Sequence, residues 1–155
     1  STRISKLYRN NGGSFTENTN ANLIGLLNSS ASFGDYDNDG DLDILLTGRD
    51  ASNTGRIKIY RNDNGNFTEA YCSNMPDVYF GVASFMDYDN DNDLDIILTG
   101  NTGSETIARV YRNTINSANT RPTMPSNLNA VTDQSKVTLS WSAASDAQTL
   151  TATGL

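Results

Sequence analysis

The sequence ASFGDYDNDGDLDILLTG spans Ala31 to Gly48, and ASFMDYDNDNDLDIILTG spans Ala83 to Gly100. The two stretches differ only at Gly34/Met86, Gly40/Asn92 and Leu45/Ile97. Each sets aspartates at every second position and then runs directly into an apolar stretch closed by Thr and Gly. The first carries Asp35, Asp37, Asp39, Asp41 and Asp43, and the second carries Asp87, Asp89, Asp91, Asp93 and Asp95. A near-verbatim recurrence of this length marks an internal repeat, and a repeat must be recognised before any local reading.

The repeat extends outward from the acidic stretches. Tyr8-Arg9-Asn10 returns as Tyr60-Arg61-Asn62 and as Tyr111-Arg112-Asn113, and Phe15-Thr16-Glu17 returns as Phe67-Thr68-Glu69. The unit is about fifty residues, the length of four short strands joined by turns. Within one unit, residues 30–34 read as a strand leading into the acidic loop, and Asp43 to Thr47 as a second strand. Arg56 to Arg61 reads as a third, with Ile57 and Ile59 alternating against Lys58 and Tyr60. Asn62 to Gly65 is a hairpin turn and Asn66 to Tyr71 the fourth strand. No segment keeps a helical period. The expected fold is all-β, built of antiparallel four-stranded propeller-type blades. Residues 1–116 divide into the outer strands of one blade (5–18), a full blade (30–71) and the inner three strands of another (83–113). The fourth strand of that last blade is missing after Asn113, which makes Asn113 the expected C-terminal end of the propeller.

Five carboxylates within nine residues repel one another unless a cation neutralises them. Calcium takes six to eight oxygens in a flexible geometry, and the opening D-x-D-x-D-G matches that of an EF-hand loop. The ending differs, because Leu46 stands where an EF-hand has Glu and a strand follows in place of a helix. Asp43 is therefore expected to close the first site, and Asp41 to ligate through its backbone carbonyl with its side chain free. In the second loop Asn92 replaces the glycine, and Asn is the residue after Gly that best tolerates left-handed geometry. The expectation is two Ca2+ sites per chain, formed by the ten aspartates named above. Magnesium fits less well, since it keeps several waters and demands octahedral geometry.

Composition narrows the function. The net charge of −7 speaks against a nucleic-acid partner, which calls for clustered Lys and Arg. No apolar run is long enough to insert in a membrane. There is no histidine, so the commonest general base is lacking, and the single cysteine, Cys72, forms no disulfide within the chain. Cys72 is expected as a small buried residue. The Tyr-Arg-Asn segments are read as structural, with Tyr packed between blades and Arg-Asn opening a turn. Residues 117–125, with Pro122 and Pro125, read as a linker. Beyond them, Val137-Thr138-Leu139-Ser140-Trp141 alternates as a strand, with Trp141 expected in a core.

The D-x-D-x-D-[GN]-x-x-D loops, each preceded by Ala-Ser-Phe and followed by an apolar strand, resemble the FG-GAP/VCBS repeats of integrin-α-like propellers over residues 5 to about 113. The resemblance implies a propeller with calcium in hairpin loops on one face, held by the same ten aspartates. The segment 126–155, with its Leu-x-Ala and VTLSW strands, resembles the start of a fibronectin type III domain, a truncated β-sandwich. The pairing implies a secreted or cell-surface protein, bacterial in origin, acting in adhesion or in binding a protein or carbohydrate ligand, with calcium structural and no catalysis. The alternative is a piece of a secreted propeller enzyme such as a polysaccharide lyase. Open blade edges also raise homo-oligomerisation as an expectation.

Overall fold

The computed structural model describes residues 2–71, 74–114, 122–133 and 135–145. Cys72, residues 117–121 of the linker and residues 146–155 lie outside the described residues. Among the described residues every regular element is a β-strand, and no helix is long and apolar enough to cross a membrane.

The apolar pattern explains the central sheet. In β4 (Asp43–Arg49) Leu45 and Thr47 face one side and Ile44 and Leu46 the other, and all are buried. A strand buried on both faces reads as a continuous apolar run, as Ile44-Leu45-Leu46 does. It lies between β3 (Leu27–Gly34) and β5 (Gly55–Asp63), and β6 (Asn66–Ala70) completes the antiparallel order β3-β4-β5-β6. The β5–β6 turn has positive φ at both Asn64 (53°) and Gly65 (88°), the conformation a two-residue hairpin requires. β3 begins three residues earlier than the alternation suggests. A register shift between Leu27 and Ser30, with Asn28 at positive φ, carries it past an irregularity that polar residues do not betray.

The second acidic repeat builds the same sheet with three strands, β7 (Ala83–Met86), β8 (Asp95–Asn101) and β9 (Thr106–Tyr111), in the order β7-β8-β9. Near the N-terminus β1 (Tyr8–Asn11) pairs with β2 (Ser14–Glu17) as the Tyr-Arg-Asn and Phe-Thr-Glu strands. The architecture of the described residues is all-β, a set of small antiparallel sheets of the propeller-blade kind, with no closed barrel among them.

Two apolar layers hold the sheets. One joins Leu45, Ile57 and Ile59 of the four-stranded sheet to Ala83, Ile96, Leu98 and Ile107 of the three-stranded one, with Tyr36, Phe85 and Tyr111 at its margin. Phe85 stacks on Tyr36 with ring centroids 6.2 Å apart. It can do so because residue 34 is glycine, where an added Cβ would lie 2.7 Å from the Phe85 ring. The other layer packs Ile44, Leu46 and Tyr60 against Leu26, with Leu7 from just before the first hairpin and Leu23 and Ile24 from the segment that follows it. One contributor follows no strand period: Val78, in the irregular connection before β7, is fully buried in the first layer.

β10 (Ser126–Asp133) and β11 (Lys136–Ser142) form a separate antiparallel hairpin. Every residue in both strands is exposed. Trp141, expected in a core, is 61% exposed, because no facing sheet covers it among the described residues.

Candidate metal centre

Each acidic loop joins the first two strands of its sheet, and its backbone folds onto its own carboxylates. In the first loop Asp35 accepts from the N–H groups of Asp39 (3.1 Å) and Gly40 (3.0 Å), and Asp39 accepts from the Asp41 N–H (2.9 Å). The fully buried Asp43 accepts from the N–H groups of Tyr36 (2.9 Å) and Asn62 (2.8 Å). The second loop repeats this wiring. Asp87 accepts from Asn92 N (3.2 Å), Asp91 from Asp93 N (3.0 Å), and Asp95 from Tyr88 N (3.1 Å) and Asn113 N (2.7 Å). The turn needs left-handed backbone at the sixth position, where φ is 93° at Gly40 and 71° at Asn92, so Asn takes the glycine's conformation as its chemistry allows.

These folds gather carboxylates in both loops. Oxygens of Asp35, Asp37 and Asp39 lie within 4.8 Å of one another, and so do oxygens of Asp87, Asp89 and Asp95. Asp43 stands outside the first group and Asp91 outside the second, Asp91 meeting Arg112 instead at 2.9 Å. The Asp41 side chain is not free, contrary to expectation, and neither is that of Asp93. Asp41 accepts from the Asn64 N–H (2.6 Å) and so fastens the β5–β6 turn, while Asp93 accepts from the Asn38 side-chain amide (2.8 Å) in the other loop. Neither belongs to a carboxylate cluster.

The crowding shows in the protonation equilibria. Burial, then the neighbouring Asp39 and Asp35 charges, push Asp37 above the ordinary carboxylate value. Burial pushes Asp43 up to about 6, against the pull of its two backbone donors. Asp89 is raised by burial in spite of Arg112, whereas the Asp93 N–H and Arg112 hold Asp91 low.

The Tyr-Arg-Asn segments, read as structural, do more than pack. Tyr60 is buried as expected and its hydroxyl accepts from Ile24 N (2.9 Å). The arginine reaches over the acidic loop of its own sheet. Arg112 lies 2.7 Å from Asp89 and 2.9 Å from Asp91, and Arg61 lies 4.0 Å from Asp37 while bound to Asp63 at 2.6 Å. The asparagine clamps the loop's end, Asn62 Nδ2 donating to Leu42 O (3.0 Å) and Asn113 Nδ2 to Leu94 O (3.2 Å). The shared spacing between Tyr-Arg-Asn and the acidic stretch was the signal that tied the two together.

Both clusters are sets of carboxylate oxygens alone, without nitrogen or sulfur. Such a set fits a hard cation, which would offset both the burial and the neighbouring charges that raise Asp37. The donor chemistry therefore fits a metal ion at Asp35, Asp37 and Asp39, and at Asp87, Asp89 and Asp95.

No curated protein and no solved structure matches the chain. The model of the FG-GAP-like repeat matches residues 3–46 and, overlapping it, residues 35–98. Each match ends in the apolar strand that follows an acidic loop, β4 in one and β8 in the other. Together the matches span more than half of the sequence and take in both carboxylate clusters, and the chain belongs to the FG-GAP-like repeat family.

Proposed function

We propose that the chain is a calcium-stabilised, non-catalytic binding module of an extracellular or cell-surface protein, in which the metal is structural. The observation that carries this reading is the pair of three-carboxylate clusters at equivalent positions of two repeats. An all-oxygen site at a hairpin loop favours calcium over transition metals, and calcium's flexible coordination suits a loop whose shape is already set by Asx-type bonds. Calcium at both loops would tie the first two strands of each sheet and add binding energy to folding. Adhesion, or capture of a protein or carbohydrate ligand on the loops around the blades, is the function this scaffold serves best.

Two further parts of the reading rest on exposed apolar surface. The β10–β11 hairpin presents Val131, Val137, Leu139 and Trp141 to solvent, as the opening strands of a fibronectin-like sandwich do before the facing sheet covers them. Phe33, on the face of the four-stranded sheet that carries Ile44 and Leu46, and Val110, on the face of the three-stranded sheet turned away from Leu98, are also exposed, and they are the natural seats for further blades or further copies of the chain.

Calcium titration of chelator-stripped protein tests the metal assignment, with calorimetric stoichiometry and thermal melting read together. Two sites per chain and a melting temperature that climbs with calcium are expected. Melting indifferent to calcium and to chelator would reduce the loops to acidic turns.

A further inference from the structure

The two acidic loops touch through hydrogen bonds that cross from one sheet to the other. Asn38, which lies between Asp37 and Asp39 of the first loop, donates its side-chain amide to Asp93 Oδ1 at 2.8 Å. Asp93 is almost fully buried, and its own N–H is bound to Asp91 at 3.0 Å. Asn113 makes a second bridge. Its backbone N–H donates to Asp95 (2.7 Å), a member of the second cluster, while its side-chain amide donates to the Tyr36 carbonyl (2.8 Å), between Asp35 and Asp37. Both bridges meet the first loop at the residues flanking Asp37.

We infer that the two metal sites are thermodynamically coupled, with Asn38 and Asn113 as the positioning residues that carry the coupling. The inference rests on the proposal that both loops bind calcium. A cation drawn to Asp87, Asp89 and Asp95 fixes Asp95 and with it the Asn113 backbone, so the Asn113 amide holds Tyr36 O in place. The same cation orders the backbone around Asp91 and Asp93, which presents Asp93 Oδ1 to Asn38. The first loop then reaches its binding shape with less ordering left to do, and its affinity rises. By linkage the effect is reciprocal, and filling the first loop tightens the second by the same factor. The coupling also joins adjacent sheets, because Tyr36 is the residue on which Phe85 stacks.

The bridge is specific to this pair of loops. The equivalent of Asp93 in the first loop, Asp41, is bound instead to Asn64 of its own sheet. The Asn38 arm of the coupling is a single side-chain contact that a substitution can remove, leaving the Asn113 bridge in place. Asn38 has φ of 60°, so Asn38→Gly deletes the amide without straining the left-handed backbone, whereas Ala would do both.

The test is a thermodynamic cycle on the full chain, with calcium affinity read by calorimetry and folding checked by circular dichroism. The second loop is blocked with Asp87→Asn and Asp89→Asn, in the natural background and in Asn38→Gly. The expected result is that blocking the second loop weakens calcium binding at the first about five- to tenfold when Asn38 is present, and by about half that factor or less when it is glycine, the Asn113 bridge carrying what remains. If the blocked chain fails to fold, the reciprocal block of Asp35 and Asp39, read at the second loop, gives the same factor. Two calcium sites whose affinities ignore one another in the natural background would overturn the coupling and leave the metal reading intact. No calcium binding to the unaltered chain would overturn both.

Discussion

Asp43 and Asp95 do the same work in two places, each accepting two backbone N–H groups, one from its own loop and one from the Tyr-Arg-Asn segment at or just past the end of the next strand. Deleting one leaves both donors without a partner in a dry site. Asp43→Ala is expected to lower the stability of chelator-treated protein by about 1–3 kcal/mol, since the unmet donors outweigh the relief of removing a buried charge. Urea denaturation in chelator measures it, separately from any loss of metal. The residue scale is also where the sequence was most legible. The alternating aspartates marked the loops, and all three residues of the first cluster and all three of the second lie among the ten named in advance. The fate of the seventh-position side chains was hidden. Asp41 and Asp93 stand at equivalent positions, yet one meets a backbone N–H of its own sheet and the other an asparagine of the neighbouring one. A repeat pattern reports what each unit shares, and these partners depend on what lies beside each unit.

At the scale of elements, strands with alternating or continuous apolar residues were readable, as β4, β5 and β8 show. The connections were not, because their order comes from single polar contacts. The β4–β5 turn is one such case. Asp50 accepts from the N–H groups of Ser52 (2.9 Å) and Thr54 (3.0 Å) and pairs with Arg56 (2.6 Å). In the following sheet the hydroxyl of Thr102 takes that place, accepting from Ser104 and Glu105. Burial pushes the Asp50 carboxyl up, but the Thr54 and Ser52 N–H groups and the Arg56 guanidinium outweigh it and hold the group below the ordinary carboxylate value. A folded-state value below the unfolded one stabilises the fold above the ordinary carboxylate range, and the gain is lost as pH falls through the depressed value. Asp50→Ala should therefore melt lower than the parent at pH 7, with the gap narrowing as pH falls below about 4. Parallel thermal melts across that range, in chelator, check it. Val78 illustrates the other hidden connection: it lies in no strand and keeps no period, and its burial follows from packing into the apolar layer shared by two sheets.

At the scale of the molecule, the sheets present two unlike faces to solvent. Phe33 is 53% exposed where Phe85, its equivalent in the next repeat, stacks on a tyrosine, and Val110 is 48% exposed where its equivalent Ile59 is buried. Apolar faces with that much open surface associate. Sedimentation velocity should give a weight-average mass that rises with protein concentration, and Phe33→Asp or Val110→Asp should flatten the rise. A constant monomer mass for the parent chain would show that these faces are tolerated in water. The faces are also not interchangeable: Met86 stands where the four-stranded sheet has Gly34, the glycine that lets Phe85 approach. A blade with Phe in that register cannot settle on the three-stranded sheet as Phe85 settles on its neighbour.

The clamp that Asn62 and Asn113 place on the preceding aspartates has a consequence for biosynthesis. Each acidic loop comes early in its repeat, but the backbone donor that closes it comes only at or just past the end of the third strand. A chain that ends between Asp43 and Asn62 has every carboxylate of the first loop but lacks the Asn62 donor to Asp43. Closure of each loop therefore waits on a later segment of the chain, and the earlier repeat has its Tyr-Arg-Asn segment before the later one does.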